Sequence, residues 1–243
     1  AFLLACSSEP PNSSEGGQGH IVSLTDEAKL AAIWISDEPI YPEDLALDLQ
    51  EKLAELRDKY GEEIPEVNIK FMYSAVPKQL LVKFYPETMG EVVDGEYDNW
   101  DDLNKKYGVS DIVIEEVFDR AKLLFEDQIN PYYLSELYAG LEGVRYANAN
   151  GYGGDYSNIY PWKVDGEIAF LVRYGWGDCP AGCIYNHFWY FKSEYNGISL
   201  IGEFEMDEDW WDNPVFPSWW IEIEPAFCKY KTGEAGNCGI YGG

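Results

Sequence analysis

Hydrophobic and polar positions along the chain recur with two different periods, and the switches between them lay out most of the elements. Leu45, Leu49, Leu53, Leu56 and Tyr60 follow one another at spacings of four, four, three and four, the repeat of a single helical face. Tyr41-Pro42-Glu43-Asp44 places a proline and two acids at the positive end of that helix, and Gly61 stops it. Val67 to Tyr73 alternates with period two and predicts a strand, as does the short run Ala31-Ala32-Ile33-Trp34-Ile35. Together they predict an N-terminal β-α-β unit.

A second order begins at residue 78. Lys78 to Tyr85 reads as a strand, and Asp98 to Gly108 as a short helix with an acidic start and Trp100, Leu103 and Tyr107 on one face. Residues 111–118 and 121–126 are β-rich and tightly joined. Asn130-Pro131 then opens a helix carrying Leu134, Leu137, Tyr138 and Leu141, Gly143 ends it, and Val144 to Asn148 is the last strand. This β-α-β-β-α-β order is that of the ferredoxin-like split motif. Beyond it, Glu167–Tyr174, His187–Lys192, Ser199–Glu205 and Trp219–Glu224 read as strands, with no convincing helix. The predicted class is α+β: a ferredoxin-like core, the extra N-terminal β-α-β unit, and a C-terminal disulfide-stapled antiparallel β segment. Residues 23–150 form one α+β domain and 151–243 an aromatic, cysteine-containing segment in this reading.

The second order carries a resemblance. Val76-Pro77-Lys78-Gln79-Leu80-Leu81-Val82-Lys83-Phe84, then Leu103 to Val109, then Leu141-Glu142-Gly143-Val144-Arg145-Tyr146-Ala147-Asn148-Ala149-Asn150, resembles the propeptide domain of secreted subtilisin-type peptidases. The resemblance implies a ferredoxin-like fold that chaperones and inhibits a peptidase. It also implies a peptidase-contacting tail, which falls here on Tyr146, Ala147, Asn148, Ala149 and Asn150. The whole chain looks like bacterial lipoproteins that join such a module to a cysteine-containing C-terminal segment.

Charge removes one class of partner. The 243 residues include 17 basic and 44 acidic side chains, a formal charge of −27, whereas tracking a nucleic acid requires a basic face. The acids are concentrated: residues 84–104 carry seven and no base, and residues 193–228 carry nine and no base.

Five cysteines leave one over from any pairing. Leu3-Leu4-Ala5-Cys6 resembles the lipobox of a bacterial lipoprotein, so residues 1–6 are read as the remnant of a signal peptide, Cys6 as lipidated and residues 7–22 as a flexible Pro/Gly/Ser-rich tether. The expected location is the bacterial cell envelope, with the membrane reached only through that anchor. The remaining Cys179, Cys183, Cys228 and Cys238 are expected to form two disulfides, for which three connectivities exist. Asp178-Cys179, Cys183 and His187 are alternatively a zinc-type ligand set.

Catalytic chemistry has little to draw on. His20 falls in the tether, His187 is the other histidine, and no nucleophile elbow is present; no enzyme and no cofactor are expected. Trp210, Trp211, Trp219 and Trp220 lie among Glu203, Glu205, Asp207, Glu208, Asp209 and Asp212. Rings beside carboxylates suit a glycan, and Asp207, Asp209 and Asp212 suit Ca²⁺. The expected function is therefore binding, toward a peptidase or, alternatively, toward carbohydrate or as a calcium-dependent adhesin.

Overall fold

The computed structural model describes residues 23–36, 38–164, 166–179, 182–206 and 215–232. Among them are six α-helices and two antiparallel four-stranded sheets.

The N-terminal β-α-β expectation is corrected at both of its strands. Residues 31–35 belong to helix α1 (Asp26–Ser36), where Thr25 Oγ1 accepts from the Ala28 amide at 3.2 Å and Asp26 and Glu27 occupy the first turn. Ala28, Ala31 and Ala32 are buried at helical spacing; a five-residue apolar run does not by itself distinguish the two periods. Helix α2 (Glu43–Tyr60) forms as its stripe requires, burying Ala46, Leu49, Leu53 and Leu56. The predicted strand over 67–73 begins in a 3-10 turn, Pro65–Asn68, and continues outside any sheet.

Its alternation is nevertheless real, since Val67, Phe71 and Tyr73 are buried while Asn68, Lys70 and Met72 are exposed. Side chains take the backbone groups that a ladder would have used. Arg57 donates to the Val67 and Ile69 carbonyls, Glu27 accepts from the Phe71 amide at 2.7 Å, and Asn158 both accepts from Met72 N and donates to Met72 O. Arg57 and Glu27 are themselves paired through two hydrogen bonds of 2.9 and 2.6 Å.

Strands β1 (Ala75–Phe84), β2 (Val109–Glu115), β3 (Arg120–Phe125) and β4 (Val144–Gly151) form the first sheet in the order β2-β3-β1-β4, every pair antiparallel. Between β1 and β2 come α3 (Pro86–Asp94) and α4 (Asp101–Tyr107), and between β3 and β4 comes α5 (Pro131–Ala139). Helix α3 lies within the acid-rich stretch 84–104, where no helical stripe announces it; it is nine residues long and buries Thr88, Met89 and Val92. Asn130 caps α5 with its Oδ1, accepting from the Tyr132 and Tyr133 amides at 3.2 Å. Gly143, entering β4 at φ +81°, is required twice over: a Cβ there would also lie 2.6 Å from the Thr88 side chain. All three helices cover one face of this sheet, packing on Leu80, Val82, Phe84, Leu123 and Phe125.

Strands β5 (Asn158–Val164), β6 (Glu167–Trp176), β7 (Tyr185–Glu194) and β8 (Gly197–Met206) form the second sheet as a simple meander. It is covered on both faces. Helices α1 and α2 pack on Phe170, Val172, Trp189 and Phe191, and α6 (Ser218–Thr232) packs on Leu171, Phe188, Tyr190 and Phe204. The strand expected at Trp219–Glu224 is thus corrected to the first turns of a helix. Trp220, Ile223 and Phe227 form its buried stripe, which the interleaved Trp219 and Ile221 and the internal Pro225 obscure.

One edge of the second sheet is tied to α2. Glu55 accepts from the Ile198 amide at 2.8 Å, Lys59 donates to the Ile198 carbonyl at 2.6 Å, and the Tyr60 hydroxyl accepts from Leu200 N at 3.0 Å. These contacts occupy edge groups that would otherwise be open. The Ile198 hydrogen bond, with Lys52 also contributing, holds the Glu55 carboxyl below the ordinary glutamate value. A depressed folded-state value stabilises above the unfolded value, about 4.3, and that contribution is lost as pH falls through the folded-state value. Hydrogen exchange at Ile198, corrected for intrinsic rates, is expected to lose protection on acidification below pH about 4, and Glu55→Gln is expected to flatten that dependence.

Candidate functional site

Two surfaces gather chemically capable side chains. The first is the end of the second sheet at the β6–β7 hairpin, beyond the cover of α1 and α2. Directly opposed residues in an antiparallel ladder share a face. The register therefore places Trp176 beside Tyr185, Tyr174 beside His187 and then Glu205, and Val172 beside Trp189 and then Glu203. Tyr174 stacks on Trp176 at 5.6 Å, Trp176 lies 5.7 Å from Tyr185, and His187 stacks on Trp189 at 3.9 Å with only 7° between planes. Glu203 lies 3.5 Å from His187 Nε2 and accepts from Trp189 Nε1 at 3.0 Å, while Glu205 lies 3.6 Å from His187 Nδ1. Both carboxylates and Tyr174 are exposed.

The loop closing this hairpin is fastened at Cys179 and Cys183. Cys179 and Cys183 are joined in a disulfide, which rests on the β6 backbone at Gly175, where a Cβ would come within 2.6 Å of Cys183 Sγ. Asp155 holds the loop from below: its amide donates to the Cys179 carbonyl at 2.9 Å and its Oδ2 accepts from Cys183 N at 3.2 Å. The same carboxylate pairs in bidentate fashion with Arg173, which is 1% exposed, at 2.5 and 2.6 Å. Asn186 accepts from Arg173 Nε at 2.7 Å. Burial pushes the Tyr156 hydroxyl up to about 12 and raises that of Tyr160 against the opposing charge of Arg173. Both phenols are therefore neutral near pH 7, and Asp155 is the anion that answers the buried guanidinium.

The second surface is the face of the first sheet opposite its helices, on which no described helix packs. Glu115, Arg120, Lys83 and Tyr146 form one row across it, and Val113, Lys122, Leu81 and Asn148 the next. Asn150 donates to Gln79 at 2.9 Å. Arg120, and then Lys122 at 3.3 Å, hold the Glu115 carboxyl below the usual range. With Asp111 added, three bases meet two acids on this face, the reverse of the balance of the whole chain.

The residues singled out from sequence are scattered over these surfaces and the core. Tyr146 to Asn150 form part of the edge strand β4, with Tyr146 and Asn148 exposed and Ala147 buried. Trp220 is fully buried, and Trp219 is half-buried and stacked on Tyr190 at 5.6 Å. With its sulfurs joined, the Cys179/Cys183 pair supplies no thiolate beside Asp178 and His187; Cys228 is also disulfide-bonded. Cys6, Cys238, Trp210, Trp211, Asp207, Asp209 and Asp212 lie outside the described residues. Among the described residues no group of three or more His, Cys, Asp or Glu side chains is placed to hold a metal ion, and no helix is long and apolar enough to cross a membrane.

Tyr174, Trp176, Tyr185 and Trp189 join the candidate residues only through the sheet register. The signal was present as Tyr-x-Trp and Tyr-x-His-x-Trp facing Glu-x-Glu, a period-two pattern that acquires meaning only once the strands are in register. Comparison of the chain with models of protein families, with curated proteins and with solved structures finds no match.

Proposed function

We propose that the protein is a lipid-anchored, non-catalytic binding protein of the bacterial cell envelope, inhibitor-like toward subtilisin-type peptidases, which engages its partner through the open face of the first sheet. The observation carrying this reading is that Tyr146 and Asn148, from the propeptide-like closing sequence, share an uncovered face with Lys83, Arg120 and Lys122. The strand order β2-β3-β1-β4, with helices between β1 and β2 and between β3 and β4, supports a ferredoxin-like module. The local excess of bases suits a partner with an acidic surface, through steering more than through raw affinity.

The test is residual activity of a panel of subtilisin-type peptidases titrated with the purified protein, alongside capture on the immobilised protein. Concentration-dependent inhibition is expected, weakened by about tenfold or more in Lys83→Glu/Lys122→Glu, because like charges across an interface cost several kcal/mol. A panel that is neither inhibited nor captured refutes the reading.

A further inference from the structure

The end of the second sheet carries an independent inference. His187 already places a flat, nitrogen-bearing ring there, stacked 3.9 Å from Trp189 with a carboxylate oxygen 3.5 Å from one nitrogen and 3.6 Å from the other. A guanidinium has the same requirements, being planar, stacking on aromatic faces and donating to carboxylates through several N–H groups. The glutamates retain capacity for a further partner. A carboxylate has about four acceptor sites, and the contacts described are His187 and Trp189 Nε1 on Glu203 and His187 on Glu205. Glu203 and Glu205 are 62% and 49% exposed at their side chains, and Tyr174, on the other side of His187, is 42% exposed. Tyr174 and Glu205 stand two strands apart, about 10 Å at the usual spacing, which an extended arginine side chain can bridge.

Charge decides the kind of occupant. Glu203 and Glu205 are exposed and face Trp189 and His187 in the ladder rather than a lysine or arginine, within a chain of −27, which favours a cationic ligand over an anionic one. The Cys179–Cys183 disulfide closes the hairpin just beyond Trp176 and Tyr185, and Asp155 binds both Cys183 N and Arg173, a cross-linking that lowers the ordering cost of association. We infer that this end of the sheet binds an arginine-bearing peptide segment of a basic partner, the methylene stem of the arginine lying across Tyr174 and its guanidinium received by Glu205 and Glu203. This site is separate from the open face of the first sheet and does not depend on the peptidase reading.

The experiment titrates the full chain with a short peptide containing two arginines, followed by tryptophan fluorescence and by calorimetry. Three comparisons accompany it: the same peptide with citrulline, which keeps the shape and loses the charge; a neutral oligosaccharide; and the variant Glu203→Gln/Glu205→Gln. Glutamine still accepts from Trp189 Nε1, and an unchanged melting temperature of the variant shows that the fold is retained. Saturable binding of the arginine peptide is expected, weakened at least about tenfold by citrulline and by the double variant, each a loss of charge-assisted hydrogen bonds. It is also expected to weaken as salt rises from about 50 to 500 mM. Binding of the citrulline peptide as tight as that of the arginine peptide overturns the inference. So does the absence of saturable arginine-peptide binding, or salt-insensitive binding of the oligosaccharide alone. Since none of these readouts involves a peptidase, failure here leaves the inhibition test standing, and the reverse also holds.

Discussion

Asp155→Ala is expected to destabilise the fold by about 3–5 kcal/mol, the cost of leaving one member of a buried ion pair without its partner. Arg173 is 1% exposed, and its two terminal nitrogens both donate to Asp155, with Asn186 receiving the Nε hydrogen. Alanine removes the anion and leaves the buried guanidinium with Asn186 and the Tyr156 carbonyl as described partners. It also frees the Cys183 amide that Asp155 holds, so the disulfide loop loosens along with the core beneath it. Urea denaturation monitored by tryptophan fluorescence measures the loss. Asp155→Ala/Arg173→Met is expected to recover a large part of it, because removing both charges leaves no unpaired ion. A loss below about 1 kcal/mol for the single variant would show that the pair is in effect solvated, as exposed pairs are.

Trp220→Ala is expected to cost a similar amount, about 3–5 kcal/mol, for a different reason. Trp220 is fully buried at the centre of the cluster under α6, with the rings of Phe188, Phe204, Trp219 and Phe227 centred 4.7, 5.4, 5.8 and 5.9 Å away. Removing the indole leaves a cavity that four rings line and cannot fill without leaving their own packing. Trp220→Phe keeps most of the volume and is expected to cost less than about 1.5 kcal/mol. Its Nε1 has no hydrogen-bond partner among the described residues, so phenylalanine removes no such bond. Thermal unfolding of the two variants side by side separates volume from polarity; equal losses would show that the ring's shape, not the space it fills, holds α6 to the sheet.

The two variants also mark where the sequence was legible. The α2 stripe, the Asn130-Pro131 start of α5 and the strands of the first sheet each announce themselves through local signals, because capping, helical spacing and period-two alternation act over a few neighbouring residues. Trp220 did not, since a helix with apolar residues on several sides and an internal proline reads locally as a strand. The segment from Val67 to Tyr73 shows the opposite case. Its alternation reported burial correctly, yet Arg57, Glu27 and Asn158 rather than a neighbouring strand took its backbone groups. Distant side chains made that choice, and no short window contains them.

Composition and local pattern by themselves determined a mixed α and β chain, a strongly acidic composition with two acid-rich stretches, and the strands β1 to β4 with helices α4 and α5 between them. The tertiary structure alone decided that α1 and α2 cover the second sheet rather than the first, that α6 closes its other face, and that Tyr174, Trp176, His187, Glu203 and Glu205 meet at one end of it. The physical reason is range. Periodicity and caps are set by interactions between residues a few positions apart, whereas a shared face depends on strand register and on which apolar surfaces find one another across tens of residues.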